Sequence, residues 1–226
     1  MDFSVPPHVT TVPVLFRKPF CVRRIFCVGR NYADHAREMG ANPDREAPFF
    51  FTKPADAVVQ NNGMVPYPPA TSNLHHEVEL VVALASGGKN IPEDKANDHI
   101  FGYAVGLDMT RRDMQSVAKE KGHPWDMAKG FDHSAPISSI TPASMSGMLS
   151  SGIIQLSVNG TVRQKGDLSD MIWSIPEVIA HLSGLVELAA GDLIYTGTPA
   201  GVSAVVKGDR LEAAIPGLEA LTIVIG

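Results

Sequence analysis

Apolar residues along this chain come in short runs, each closed by proline, glycine or a cluster of small polar residues. That rhythm favours strands, because a strand crosses a core in a few residues while a helix needs ten or more. Seventeen prolines and 20 glycines supply the breaks. Strands are predicted at 24–29 ("RIFCVG"), 48–53 ("PFFFTK"), 77–84 ("EVELVVAL"), 100–107 ("IFGYAVGL"), 153–158 ("IIQLSV"), 192–196 ("DLIYT"), 209–215 ("DRLEAAI") and 221–225 ("LTIVI"). Helices are fewer, at 31–39, 92–97, 110–121 and 175–183. The last has a start signal: Ser174 with Glu177 three residues on makes a capping box, and Pro176 sits in the first turn. Glu177 thereby has a structural task and is discounted as a catalyst. The small, polar stretch 139–151 ("SITPASMSGMLSS") reads as a connecting loop. Strands and helices do not alternate as a doubly wound sheet requires, and no internal repeat or linker divides the chain. The pattern describes one mostly-β domain with a few helices.

Composition adds exclusions. With 226 residues, 44% hydrophobic and 19% charged, the chain is long enough for a substantial core. A net charge of −5 offers no basic surface for nucleic acid or an anionic membrane. Cys21 and Cys27 are the only cysteines; in a strand they lie about 20 Å apart, beyond disulfide reach, and two such thiols suit a reducing cytoplasm. The N-terminus, rich in proline, lacks the charged and apolar regions of a signal peptide, and no apolar run approaches a membrane span, so a cytoplasmic location is expected.

Within "LHHEVELVVAL", Glu77 and Glu79 stand two apart in an apolar strand and so share a face, about 7 Å apart along the chain. Burying two like charges is costly unless something positive lies between them. Two readings stay open: an edge strand with a wet face, or a pair of metal ligands. Asp108, at the end of "IFGYAVGLD", could complete a cage of oxygen donors suited to Mg²⁺, Mn²⁺ or Ca²⁺ and ill suited to Zn²⁺. His75 and His76 could join, although such ions seldom choose imidazole, and a surface or supporting place is the alternative. On helix 31–39, His35 and Glu38 lie three apart, either a surface pair or a water-activating dyad. Lys129, among apolar and aromatic residues, is a surface lysine or a cation beside a developing enolate. Arg112 and Gln115 share a helix face as a carboxylate grip, with Arg111 pointing away into solvent. The turn in "YTGTPAGV" exposes backbone N–H groups and the Thr198 hydroxyl, but lacks the phosphate-loop pattern.

Taken together and in order, "VGRNYADHAREMG", "HHEVELVVAL", "GYAVGLDMTRRDMQ", "KGHPWDMAKGFDHSAPIS", "QKGDLSDMIWSIPEVIAHLS" and "GDLIYTGTPAGV" closely resemble the fumarylacetoacetate hydrolase family. The resemblance runs from about residue 22 to the C-terminus, leaving 1–21 as an N-terminal extension and 22–226 as a single catalytic domain. It implies an α+β, predominantly β fold, a mixed β-sandwich roll, normally in a homodimer. It implies a metal site, for Mg²⁺ or Mn²⁺, at Glu77, Glu79 and Asp108. It implies a catalytic His35–Glu38 dyad on a lid, residues 31–45, with His35 standing away from the metal until substrate binds. Lys129 is implied as a further catalytic group, and Arg30, Arg112, Gln115 and Thr198 as substrate contacts. The activity implied is that of single-domain acylpyruvases, hydrolysing a small oxo-acid such as the fumarylpyruvate of gentisate breakdown at a C–C bond. The rival is an oxaloacetate decarboxylase or a related oxo-acid decarboxylase or isomerase. Arg111, His133 and Lys119 are the candidates for a distal substrate carboxylate. One departure is Ser203, where glycine often follows the "GTPxGV" turn.

Overall fold

The computed structural model describes residues 9–38 and 46–226. In chain order the strands are β1 (Thr11–Val14), β2 (Arg17–Cys21), β3 (Arg24–Gly29), β4 (Phe49–Lys53), β5 (Val58–Gln60), β6 (Met64–Val65), β7 (Leu74–His75), β8 (Val78–Leu84) and β9 (Ile100–Leu107). They continue as β10 (Thr110–Arg111), β11 (Ala135–Ile137), β12 (Thr141–Pro142), β13 (Ile153–Val158), β14 (Thr161–Asp167), β15 (Asp192–Tyr195), β16 (Arg210–Ala214) and β17 (Leu221–Ile225). The helices are α1 (Ala33–Glu38), α2 (Glu93–Ala96), α3 (Arg112–Lys121), α4 (Asp126–Lys129), α5 (Ala143–Ser146) and α6 (Ile175–Leu185).

A mixed sheet in the order β4-β3-β15-β8-β9-β11-β5, with β12 also paired to β9, packs against a second sheet ordered β14-β13-β16-β17-β6. The alternation along β8 explains the layering. Val78, Leu80, Val82 and Leu84 point one way, into a core shared with Ile154 and Leu156 of β13 and Leu211 of β16. Val81 and Ala83 point the other way, into a second core with Ile25, Ala104, Leu193 and Tyr195. The β1–β2 hairpin closes that second core with Val12 and Val14, so residues 11–21 are packed on the catalytic unit. Tyr195 lies against Gly106 so closely that a β-carbon there would stand 2.6 Å from its ring.

All eight strands expected from the sequence are present, within a residue or two. The four helices are present as well, α1 being described to Glu38, with Met39 outside the described residues. The capping box is formed, Ser174 N–H donating to Glu177 Oε2 at 2.9 Å. Ile175, Val178, Ile179 and Leu182 give α6 its buried stripe. The stretch 139–151 is more than a loop, since it contains β12 and α5. Cys21 and Cys27 do not share a strand: the chain breaks between β2 and β3, and Cys21 is exposed while Cys27 is buried, both as free thiols. No helix among the described residues is long and apolar enough to cross a membrane.

Candidate active site

The second core ends in charge. On the face that carries Ala83 and Val81, the next two positions are Glu79 and Glu77, and on β9 the face of Ala104 and Gly106 continues to Asp108. Antiparallel pairing sets Glu79 opposite Gly106, and Asp108 N–H donates to Glu77 C=O at 2.9 Å. The register therefore gathers three carboxylates, with one oxygen from each lying within 4.8 Å of the others. Glu77, Glu79 and Asp108 are 5%, 1% and 1% exposed, which rules out the wet edge strand.

Several groups hold this acidity. Lys129 Nζ donates to Glu77 Oε2 at 2.9 Å, Asp108 Oδ2 at 2.6 Å and Thr110 Oγ1 at 2.7 Å, and it is 2% exposed, so it is no surface lysine. Arg112 donates to Glu77 Oε1 and to Gln115 Oε1. Gly197 N–H donates to Glu79 Oε2 at 2.7 Å. Burial works against the charge on Glu77, but Lys129 and Arg112 outweigh it and hold its pKa well down. Burial also opposes the Lys129 ammonium, and Asp108 and Glu77 overcome it, raising its pKa. Glu79 is the exception: burial, then Asp108 and Glu77, push its carboxyl well above the ordinary range. Asp108 Oδ1 is buried without an aligned donor, although Lys53 Nζ is 2.7 Å away. An all-oxygen set of three buried carboxylates, with burial and its acidic neighbours opposing the charge on Glu79, fits a hard divalent cation.

The triad floors a cavity. His35, Arg30, Arg112, Gln115, Thr198 and Lys129 all line it, so the structure brings these expected site residues together with the triad. His35 is 6% exposed and its Nδ1 lies 3.4 Å from Glu38 Oε2, while Gly201 N–H donates to the same carboxylate at 3.1 Å. The dyad is thus tied to the glycine-rich turn after β15. Burial lowers the His35 pKa, only partly opposed by Glu77 and Glu38, which favours the neutral imidazole a base requires. His35 lines the same cavity as the acidic triad. The rest of the expected lid, residues 39–45, lies outside the described residues.

Other expectations are revised. His76 is fully buried, its ring bonded to Gln164 Oε1 at 2.8 Å and Ser203 Oγ at 2.9 Å, so it is neither a surface group nor in the carboxylate cluster. Ser203 thereby uses a hydroxyl that the more usual glycine would lack. His75 Nδ1 accepts from Arg112 Nε at 3.4 Å and helps aim that guanidinium. Arg111 is not free in solvent: it lies over the Phe131 ring at 4.4 Å and donates to Met127 C=O. Lys53, missing from the residues expected at the site, is 3% exposed and donates to Met109 C=O and Lys129 C=O beside Asp108. A lysine closing the aromatic run "PFFFT" was its only signal in the sequence. Asn31 was missed too; its amide donates to Trp173 C=O and Thr196 C=O, joining the start of α1 to the turn after β15.

Comparison with known proteins agrees with this geometry. A family model described as fumarylacetoacetate (FAA) hydrolase C-terminal matches residues 24–225. A fumarylpyruvate hydrolase of Ralstonia sp is 44% identical over 191 residues, covering 83% of this chain and 98% of its own. The human mitochondrial oxaloacetate tautomerase is 44% identical over 200 residues, covering 88% and 90%. The crystal structure of a Pseudomonas aeruginosa fumarylpyruvate hydrolase in complex with Mn²⁺ and pyruvate superposes with a TM-score of 0.96 at 47% identity, covering 100% of this chain and 99% of that one. With its mixed sandwich, its buried acidic triad and a match along nearly its whole length, the chain belongs to the fumarylacetoacetate hydrolase family.

Proposed function

We propose that the protein is a divalent-metal-dependent hydrolase that cleaves 3-fumarylpyruvate to fumarate and pyruvate. The observation that carries this reading is the meeting, in one cavity, of a buried His35, whose ring contacts the exposed Glu38 carboxylate, with a buried cluster of three carboxylates. Glu77, Glu79 and Asp108 would hold Mg²⁺ or Mn²⁺, which supplies Lewis acidity to the 2-oxo-carboxylate end of the substrate. The similar Pseudomonas aeruginosa fumarylpyruvate hydrolase, whose structure contains Mn²⁺ and pyruvate, supports a metal-dependent site for such a substrate. Arg112, held by Glu77 and Gln115, offers a guanidinium to the pyruvoyl carboxylate, with Thr198 across the cavity. His35, its Nδ1–H directed at Glu38, takes a proton from water at Nε2, and the hydroxide oxygen bonds to the C4 carbonyl carbon. The C3–C4 bond then breaks, its electron pair passes to the pyruvate side, and C3 receives the proton from His35. The Lys129 ammonium stabilises the negative charge that develops there. A cytoplasmic homodimer completes the proposal, in keeping with the two free thiols.

The test is fumarylpyruvate hydrolysis by the Mn²⁺-loaded protein and its His35→Ala variant. Turnover should fall about 10²–10⁴-fold while Mn²⁺ affinity by calorimetry is retained. Unchanged turnover would remove His35 from the scheme, and no hydrolysis by the wild type would sink the reading. Oxaloacetate chemistry is the second reading, favoured by the tautomerase relative. It needs no water-derived nucleophile, so assaying fumarylpyruvate, acetylpyruvate and oxaloacetate side by side separates the two.

A further inference from the structure

We propose that Gln164 is a positioning residue, whose amide fixes the Thr198 hydroxyl as a hydrogen-bond donor to the 2-oxo-carboxylate end of the substrate. The proposal deepens, and rests on, the acylpyruvate reading above.

Gln164 is the one buried residue of β14, whose other positions are exposed or half-buried. A buried amide has two hydrogens to give and two acceptor sites to fill, and here all four are used. Oε1 accepts from Val78 N–H at 3.0 Å and lies 2.8 Å from His76 Nδ1, which must therefore carry a hydrogen on that side. Nε2 donates to Pro199 C=O and to Thr198 Oγ1, both at 2.8 Å. A backbone N–H can only give and a carbonyl can only take, so Val78 and Pro199 together forbid the flipped amide. Ser203 Oγ closes the far end of the chain, 2.9 Å from His76 Nε2. Gln164 and His76 are both fully buried, so water does not compete for these bonds.

Thr198 Oγ1 receives one Gln164 hydrogen, and its own hydrogen has no acceptor among the described residues. Thr198 lines the cavity with the acidic triad and Arg112, whereas Gln164 is not in the cavity wall and can act only through Thr198. Branching at Cβ limits rotation of the Thr198 side chain, and the Gly197 N–H beside it already ties the turn to Glu79. The hydroxyl is thus held in place with a hydrogen to give. Its partner must accept, which suits a carboxylate or oxo oxygen and opposes a group that can only donate, such as an ammonium. Accepting from Gln164 also polarises the hydroxyl, and donation to a charged oxygen is the stronger kind of hydrogen bond.

The experiment is a cycle of variants, read by calorimetric binding of pyruvate to the Mn²⁺-loaded protein. Gln164→Glu keeps the shape of the side chain and the oxygen facing Val78. It sets a second oxygen where Nε2 stood, so the Thr198 hydrogen turns towards it and away from the cavity. Pyruvate affinity should fall about tenfold, as for the loss of a hydrogen bond to a charged group. Thr198→Val should lose a similar factor. In the Thr198→Val background, Gln164→Glu should change pyruvate affinity by less than about threefold, because the hydroxyl it acts through is gone. An equal loss in both backgrounds would make Gln164 a structural brace alone and overturn the proposal. Wild-type affinity in Gln164→Glu, or a wild type that binds no pyruvate, overturns it as well. Mn²⁺ affinity and melting temperature check that each variant is folded and loaded. Neutron diffraction from wild-type crystals with Mn²⁺ and pyruvate needs no variant: the Thr198 deuterium should lie towards a pyruvate oxygen, and one lying towards Gln164 is the contrary result. Absence of fumarylpyruvate turnover by the wild type overturns the hydrolase reading, while the pyruvate cycle still decides the part of Gln164.

Discussion

Gly197 serves both the backbone and the acidic cluster. Its φ of +96° lies where a side chain is strained, and a β-carbon there would stand 2.7 Å from Asn31 Cβ. Its N–H also holds Glu79. Gly197→Ala should therefore cost about 1–3 kcal/mol in chemical denaturation. It should also weaken Mn²⁺ binding through a displaced Glu79. A variant with wild-type stability and metal affinity would show that the turn has room to spare. Buried lysines make the complementary point. Lys129 and Lys53 sit beside Asp108 at 2% and 3% exposure, a depth lysine reaches only when paired. Lys129 attracts notice in the sequence through its aromatic surroundings, whereas Lys53 looks like the polar end of a strand. What buries Lys53 is its approach to Met109, Lys129 and Asp108, all more than fifty residues away along the chain.

At the scale of elements, legibility followed length and periodicity. β3, β8, β9, β13, β16 and β17 carry runs of apolar or alternating residues and were readable. β14 ("TVRQKGD") is largely exposed at a sheet edge, so its polar surface hid it. β6, β7, β10 and β12 are two residues each and exist only because another strand meets them, a fact no local pattern records. The β1–β2 hairpin belongs with these. Val12 is 0% exposed and packs with Ile137 and Ile140, although the stretch containing it reads as an extension. Val12→Asn, which buries an amide in that apolar seat, should destabilise the protein by about 1–3 kcal/mol, read from its denaturation midpoint. A change within a few tenths would mean the hairpin is an appendage.

For the whole molecule, the triad is a tie between distant segments: Glu77 and Glu79 before and within β8, Asp108 after β9, and Gly197 and Thr198 after β15. An ion bound there favours the folded chain, because an unfolded chain holds these groups apart. Mn²⁺ at about a hundred times its dissociation constant should add about 2.7 kcal/mol, which in a chain of this size raises Tm by roughly 5–10 °C. A chelator should reverse the gain, and identical melting curves with and without Mn²⁺ would argue against a metal at the triad.

By itself the amino-acid order determined which residues share a strand or helix face, and hence the pairing of Glu77 with Glu79, of His35 with Glu38, and of Arg112 with Gln115. Those are consequences of local geometry, repeating every two residues in a strand and every 3.6 in a helix. Only the tertiary structure decided that the faces meet: that the acidic end of the second core opens beneath His35, that Lys53 is drawn in beside Asp108, and that Lys119, not Arg111 or His133, looks into the cavity. The reason is that periodicity sets the direction of a side chain relative to its own element, whereas its partner is chosen by long-range packing of sheets and loops.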